Sequence, residues 1–127
     1  MFNQNSNPTI RNTILWGNTA SYDGAQIGNT SSTPSVSYSV VQGGYAGGTN
    51  IIITDPKLGT LSNYGGFTQT IPLLPGSSAI DTGNDATCPA TDQRGVSRPQ
   101  GAHCDIGAFE FVETTAVFTI FLPLILR

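Results

Sequence analysis

The sequence predicts an all-β fold: a parallel β-helix, or solenoid, closed by an irregular C-terminal cap and followed by a terminal apolar strand. Three observations predict it. A decapeptide recurs after 26 residues, short β-branched runs alternate with Gly, Asn and Pro, and most of the ionisable chemistry sits in one late block. At 127 residues the chain is one domain or a piece of one. Its charged fraction is only 10%, whereas disordered acidic chains are highly charged and poor in β-branched residues. Fifteen glycines among many Ser, Thr and Asn suit short strands joined by tight turns. Net charge is −3 with five basic residues, so no basic patch exists to neutralise phosphates, which argues against nucleic acid.

Pro8 to Gly17 (PTIRNTILWG) matches Pro34 to Gly43 (PSVSYSVVQG), with type changes only at Arg11/Ser37, Asn12/Tyr38 and Trp16/Gln42. A second pair sets Ala25 to Gly28 against Ile51 to Thr54 at the same offset. Such a period marks a stacked repeat, in which one unit cannot bury its apolar face alone. Helical repeats need long amphipathic stretches of Ala, Leu, Glu and Lys, and these are missing. The period therefore reads as a coil whose strands pair with the coils before and after it, with Ile10, Ile14, Val36 and Val40 pointing inward. Asn and Thr at the corners would stack in hydrogen-bonded ladders. An antiparallel β-sandwich is the alternative, but it leaves the repeated decapeptide unexplained.

Residues 1–57 thus read as coils, 58–112 as a last coil and cap, and 113–127 as an apolar tail. After Asp55-Pro56 the periodicity fades into short apolar runs around a Gly65-Gly66 turn. A cap there would cover unpaired backbone groups at the open end of a solenoid. The tail TAVFTIFLPLILR is shorter than the roughly 20 residues of a transmembrane helix, and Pro123 would break one. It reads as a strand on the cap, a processed sorting signal, or a strand donated to a neighbour. MFNQNSNPTIRN lacks the basic and apolar regions of a secretory signal, so the chain is expected to start inside a longer protein. Two cysteines in an Asn/Thr-rich, Lys-poor chain suit an extracellular or cell-surface location.

Two stretches carry a family resemblance: TDPKLGTLSNYGGFTQTIPLLPGSSAIDTG and CPATDQRGVSRPQGAHCDIGAFEF. Through them the chain from about Pro8 to Phe111 resembles the C-terminal part of the bacterial surface proteins grouped as choice-of-anchor Q. The resemblance implies a right-handed parallel β-helix, secretion and anchoring by varied C-terminal signals. It brings no catalytic residue, and this chain lacks the family's long upstream solenoid. The ending FLPLILR is similar to that of some secreted proteins of filamentous bacteria.

The dense block, Asp81 to Glu110, holds five of the eight acids, both cysteines and the single histidine. One reading makes Asp81, Asp92, Asp105 and Glu110 with Arg94 and Arg98 a polysaccharide lyase or hydrolase site, with carboxylates as acid, base or calcium ligands. The other makes Asp81, Asp92, Arg94, Asp105 and Glu110 a structural ion-pair cluster, with Arg94 gripping a carboxylate bidentately. The second is preferred, because the coils where an enzymatic groove would lie carry only Arg11, Asp23, Asp55 and Lys57. No catalytic residue is therefore assigned.

Asp81, Asn84 and Asp85 form a calcium candidate, set against a solvated turn with Asx hydrogen bonds; no other cofactor is expected. Cys88 and Cys104 read as a disulfide, with two free thiols or a metal site with His103 as rivals; the close-pair spacing of zinc ligands is missing, so no metal is assigned. His103 has no G-x-S-x-G context for a triad. Trp16, Tyr22 and Tyr45 are candidates for glycan stacking, set against a covering role over corners and cap. Asn29-Thr30-Ser31 matches a glycosylation sequon of little weight in bacteria. Three functions are compatible with these features: a structural or adhesive non-catalytic segment of a secreted surface β-helix protein, contacting cell envelope or polysaccharide; part of a carbohydrate-active β-helix enzyme; or a filament subunit assembling end to end through solenoid edges and tail.

Overall fold

A computed structural model describes residues 1–22 and 24–114. The apolar tail and its three readings lie outside these residues. Six short strands form: β1 Phe2–Gln4, β2 Thr9–Arg11, β3 Ile14–Leu15, β4 Gly28–Thr30, β5 Ser35–Val41 and β6 Thr49–Ile52. All their pairings are parallel. β1 pairs β4, and β5 pairs β2 and β3 in the repeat's register, so that Ile10 faces Val36 and Ile14 faces Val40. The decapeptide repeat is therefore a strand-pairing register. Like residues at the same offset can form the same ladder bonds and bury the same faces.

The strand topology corrects the expected β-helix. Among the described residues there are two separate short parallel sheets, of two and four strands, and no closed solenoid. From β5 to β6 the register pairs Ser37 with Thr49 and Val40 with Ile52, so the chain returns after only 12 residues rather than 26. Gly43, Gly44 and Gly47 take positive φ in this connection, which tightens the turn where a full coil would need a longer path. The second proposed repeat fails for the same reason. Gly28 pairs back to Phe2, whereas Ile51 and Ile52 pair with Ser39 and Val40. Beyond β6 parallel pairing stops, and isolated antiparallel bridges join Leu58 to Leu73, Ser62 to Thr70 and Thr91 to Ser97.

Inside β5, Tyr38 has φ 46°, and the residue at the matching repeat position, Asn12, has φ 48°. Asn12 lies between β2 and β3. A left-handed residue there breaks the strict alternation of faces. Val36 accordingly joins Ile10 and Val41 in one apolar cluster, while Val40 joins Leu73, Ala79, Ile106 and Phe109 in another. Ile10, Val36 and Val40 are buried as expected, and Ile14 is half-buried against the second cluster. Burying each such side chain contributes about 1.5–3 kcal/mol. Polar ladders also follow the repeat: Asn3 donates to Asn29 Oδ1 at 2.9 Å, and Thr33 N donates to Asn7 Oδ1 at 2.6 Å. The second cluster positions the dense block, because Ile106 and Phe109 are its own core residues.

Candidate functional site

Residues 81–111 contain a single 3₁₀ turn, Asp85–Thr87, and no strand. Their backbone N–H groups consequently lack a ladder, yet buried amides need acceptors. Carboxylates supply them. Asp81, Asp85, Asp92, Asp105 and Glu110 together accept from nine backbone amides.

Three of the acids form a relay in which each holds the backbone carrying the next. Asp92 Oδ2 accepts from Glu110 N at 2.9 Å. The Glu110 carboxylate accepts from Asp105 N at 3.0 Å and Gln100 N at 2.9 Å. The Asp105 carboxylate accepts from Asp81 N at 2.8 Å and from Phe111 N. All three acids are buried, and Glu110 is 0% exposed. Bulk water therefore cannot take over the accepting role of the Glu110 carboxylate.

Arg94 and Arg98 tie the relay to the core. Arg94 Nε and Nη2 both donate to Asp92 Oδ2, at 2.9 and 2.7 Å, while Nη2 also reaches Glu110 O at 2.7 Å. Its guanidinium carbon stands 3.5 Å from the centroid of the Phe109 ring, a cation–π contact, and Tyr64 meets the same ring edge-on at 6.1 Å. Arg98 donates to the carbonyls of Asp105 and Gly107, and its Nε lies 3.5 Å from Glu110 Oε2. The expected ion-pair cluster is thus redrawn. Only Asp92 pairs closely with a guanidinium, and the fork closes on one carboxylate oxygen. Asp105 and Asp81 serve as amide acceptors, because the irregular backbone around them has more unpaired donors than arginines.

Three buried carboxylates face two guanidiniums, and Asp105 is the acid without one. Burial pushes its carboxyl up to about 6 against the pull of the Asp81 and Phe111 amides, with the Glu110 and Asp81 charges adding to the rise. Burial also works to raise Asp92, but the Glu110 amide, the Arg94 guanidinium and the Val96 and Arg94 amides hold it below the usual carboxylate range.

Cys88 and Cys104 form a disulfide with Cα atoms 6.5 Å apart, which excludes the thiol and metal alternatives for these two residues. Beside it, the exposed His103 Nδ1 meets Asp85 Oδ2 at 2.8 Å, and Asp85 Oδ1 accepts from Cys104 N. The hydrogen bond with Asp85 raises the histidine above its ordinary value, and the same bond, with the Cys104 amide, lowers Asp85. Asp81, Asn84 and Asp85, the calcium candidates, direct oxygens toward the protein's own amides: Asp81 Oδ1 to His103 N, Asn84 Oδ1 to Ala86 N, and Asp85 Oδ1 to Cys104 N. Among the described residues no three His, Cys, Asp or Glu gather as a metal-binding group. Gly101 packs so closely on the Asp81 carboxylate that a side-chain carbon there would collide with it, and one at Gly83 would stand 2.6 Å from Cys104 O.

Sequence reasoning missed Asn12 and Gln100. Asn12 Oδ1 accepts from Asn84 N at 2.8 Å and Nδ2 donates to Asn84 O at 3.1 Å, joining the β2–β3 bend to a loop 72 residues later. Its one local signal is an Asn at the position where the repeat has Tyr38. The glycan-stacking trio does not form a platform. Trp16 packs against the Val40 cluster, Tyr45 against the Val36 cluster, and Tyr22 stands in solvent at 90% exposure, so the three share no face. Among the described residues no helix is long and apolar enough to cross a membrane. No protein family, curated protein or solved structure matches the chain.

Proposed function

We propose that this chain is a structural or adhesive, non-catalytic segment of an exported, surface-attached protein. One observation carries the reading. The acids that an enzyme would present to substrate are turned inward, and Asp92, Asp105 and Glu110 accept backbone amides in buried positions. A general acid or base must reach the proton it transfers, and these oxygens face the protein's own amides. The Cys88–Cys104 disulfide supports folding in an oxidising compartment outside the cytoplasm. The resemblance of residues 54–83 and 88–111 to choice-of-anchor Q proteins supports the same setting, with cell envelope or polysaccharide as the surface met.

The test is turnover. The full chain, disulfide intact, is incubated with pectin-like and neutral polysaccharides, and reducing ends and unsaturated products are measured. No product is expected. Product formation that Asp92→Asn or Asp105→Asn abolishes, with the fold retained, would establish the enzymatic alternative instead.

A further inference from the structure

A groove of about 670 Å³ has no ionisable side chain in its lining. Its walls come from three parts of the chain: β3 with Trp16, the segment bridged from Leu58 to Leu73, and the loops carrying Gln93 and Ala108. The volume falls within the roughly 300–1,000 Å³ of small-molecule sites, which pair an apolar lining with a few polar groups. Trp16, half-buried, offers part of its indole, and Leu61 and Ile71 keep 55% and 44% of their surface exposed beside it.

The polar groups of this groove are unusually free. Gln93 Nε2 donates to Thr68 Oγ1 and Gln69 O, which leaves Gln93 Oε1 open among the described residues. The Gln69 side-chain amide has no protein partner among them. Thr70 lines the same wall at 2% exposure, and its hydroxyl is buried without a hydrogen-bond partner. Gln69 and the Gln93 oxygen therefore face the groove with hydrogen-bonding capacity that the protein does not use, whereas the Thr70 hydroxyl is sealed beneath the wall.

We propose that the groove binds a neutral oligosaccharide, with Trp16 against the C–H face of a sugar ring and Gln69 and Gln93 toward its hydroxyls. The assignment rests on the adhesive reading and names its ligand class. A sugar ring joins an apolar face to a rim of groups that both donate and accept, and carboxamides answer both roles. An anionic polysaccharide would find no cation in the lining. A purely apolar ligand would bury the two amides without partners.

Trp16 is the single tryptophan of the chain and lines the groove, so a ligand there is read in its fluorescence without interference from a second indole. The full oxidised chain is titrated with neutral hexasaccharides of glucose, mannose and N-acetylglucosamine, and with polygalacturonate. At least one neutral hexasaccharide is expected to shift Trp16 emission and shield it from acrylamide, with a Kd between about 10 μM and 1 mM. Gln69→Ala should weaken that binding about tenfold. A Trp16 signal unchanged by every neutral sugar up to about 10 mM overturns the proposal. Preference for polygalacturonate does the same, as does a sugar-independent shift that grows with protein concentration, which would assign the groove to a second copy. Binding to envelope material with Trp16 unperturbed would overturn the groove as the contact site and leave the surface role standing. Polysaccharide turnover would instead remove the non-catalytic reading.

Discussion

Asp92→Asn tests the relay at its most heavily used member. Asp92 Oδ1 accepts from Arg94 N at 2.7 Å and Val96 N at 3.0 Å, while Oδ2 accepts from Glu110 N and twice from the Arg94 guanidinium. An asparagine keeps the shape but carries one oxygen. Whichever way its amide is turned, an NH₂ group faces donors. If it faces Oδ1's partners, two backbone amides lose their acceptor; if it faces Oδ2's, the Glu110 amide and the guanidinium do. The Asp92 side chain is 0% exposed and that of Arg94 11%, so water does not replace the lost acceptor. Breaking one member of a buried pair costs about 3–5 kcal/mol. Against a total of roughly 5–15 kcal/mol for a domain, that is a large share. The assay is urea unfolding at pH 7 followed by Trp16 fluorescence, with Asp55→Asn as the exposed control. Because Trp16 packs on the cluster that holds Ile106 and Phe109, its signal should report loosening of the block. A loss under about 1 kcal/mol with an unchanged m-value would refute the reasoning, since it would mean that the carboxylate is dispensable to these amides.

Asp105 is expected to make stability fall as pH rises. Its folded-state value of about 6 lies above the ordinary 3.8, so its contribution is complete below about 4 and is lost as pH climbs through about 6; two units correspond to about 3 kcal/mol. Asp92 opposes this at the acid end, because its value is lowered and its contribution disappears as pH falls. The difference between wild type and Asp105→Asn in urea midpoint from pH 4 to 7 isolates the Asp105 part, and a constant difference would contradict it. NMR titration of His103 should give a value above 6.5 that Asp85→Asn returns toward 6.5; the pair's contribution is present below 6.5 and lost above the raised value. Paired Cys88→Ser and Cys104→Ser substitutions, which open a link across 16 positions, should cost about 3 kcal/mol, read as a lower thermal midpoint; an unchanged midpoint would show that the relay alone closes the block.

Legibility differed between the two halves of the chain for a physical reason. The 26-residue match was readable because parallel pairing repeats side-chain type at each register position, and Ile10–Val36 and Ile14–Val40 do pair so. Extrapolating that period into a closed solenoid failed at Gly43 to Gly48, where a shorter return also satisfies the strands. A repeat seen about once and a half does not specify how the next turn closes. In the dense block, the cysteine pair and Asp92 with Arg94 were legible as residue types. Their partners were not, because carboxylates accept from backbone amides, which every residue but proline carries and no composition marks. The aromatic trio is dispersed over two apolar clusters and solvent, a placement set by tertiary packing that residue type does not mark.

By itself the sequence determined a fold of short strands among the described residues, the pairing register of its first half, and the concentration of its acids and cysteines in one late block. These come from side-chain type and spacing, which are local. Tertiary structure alone decided that the parallel strands form two short sheets, and that Asp92 holds the backbone of Glu110 and Glu110 that of Asp105. It also placed Trp16 beside Gln69, Thr70 and Gln93 in an uncharged groove. Each of these depends on where segments far apart in the chain meet, as Asn12 meets Asn84, and on which backbone groups are left for side chains to satisfy.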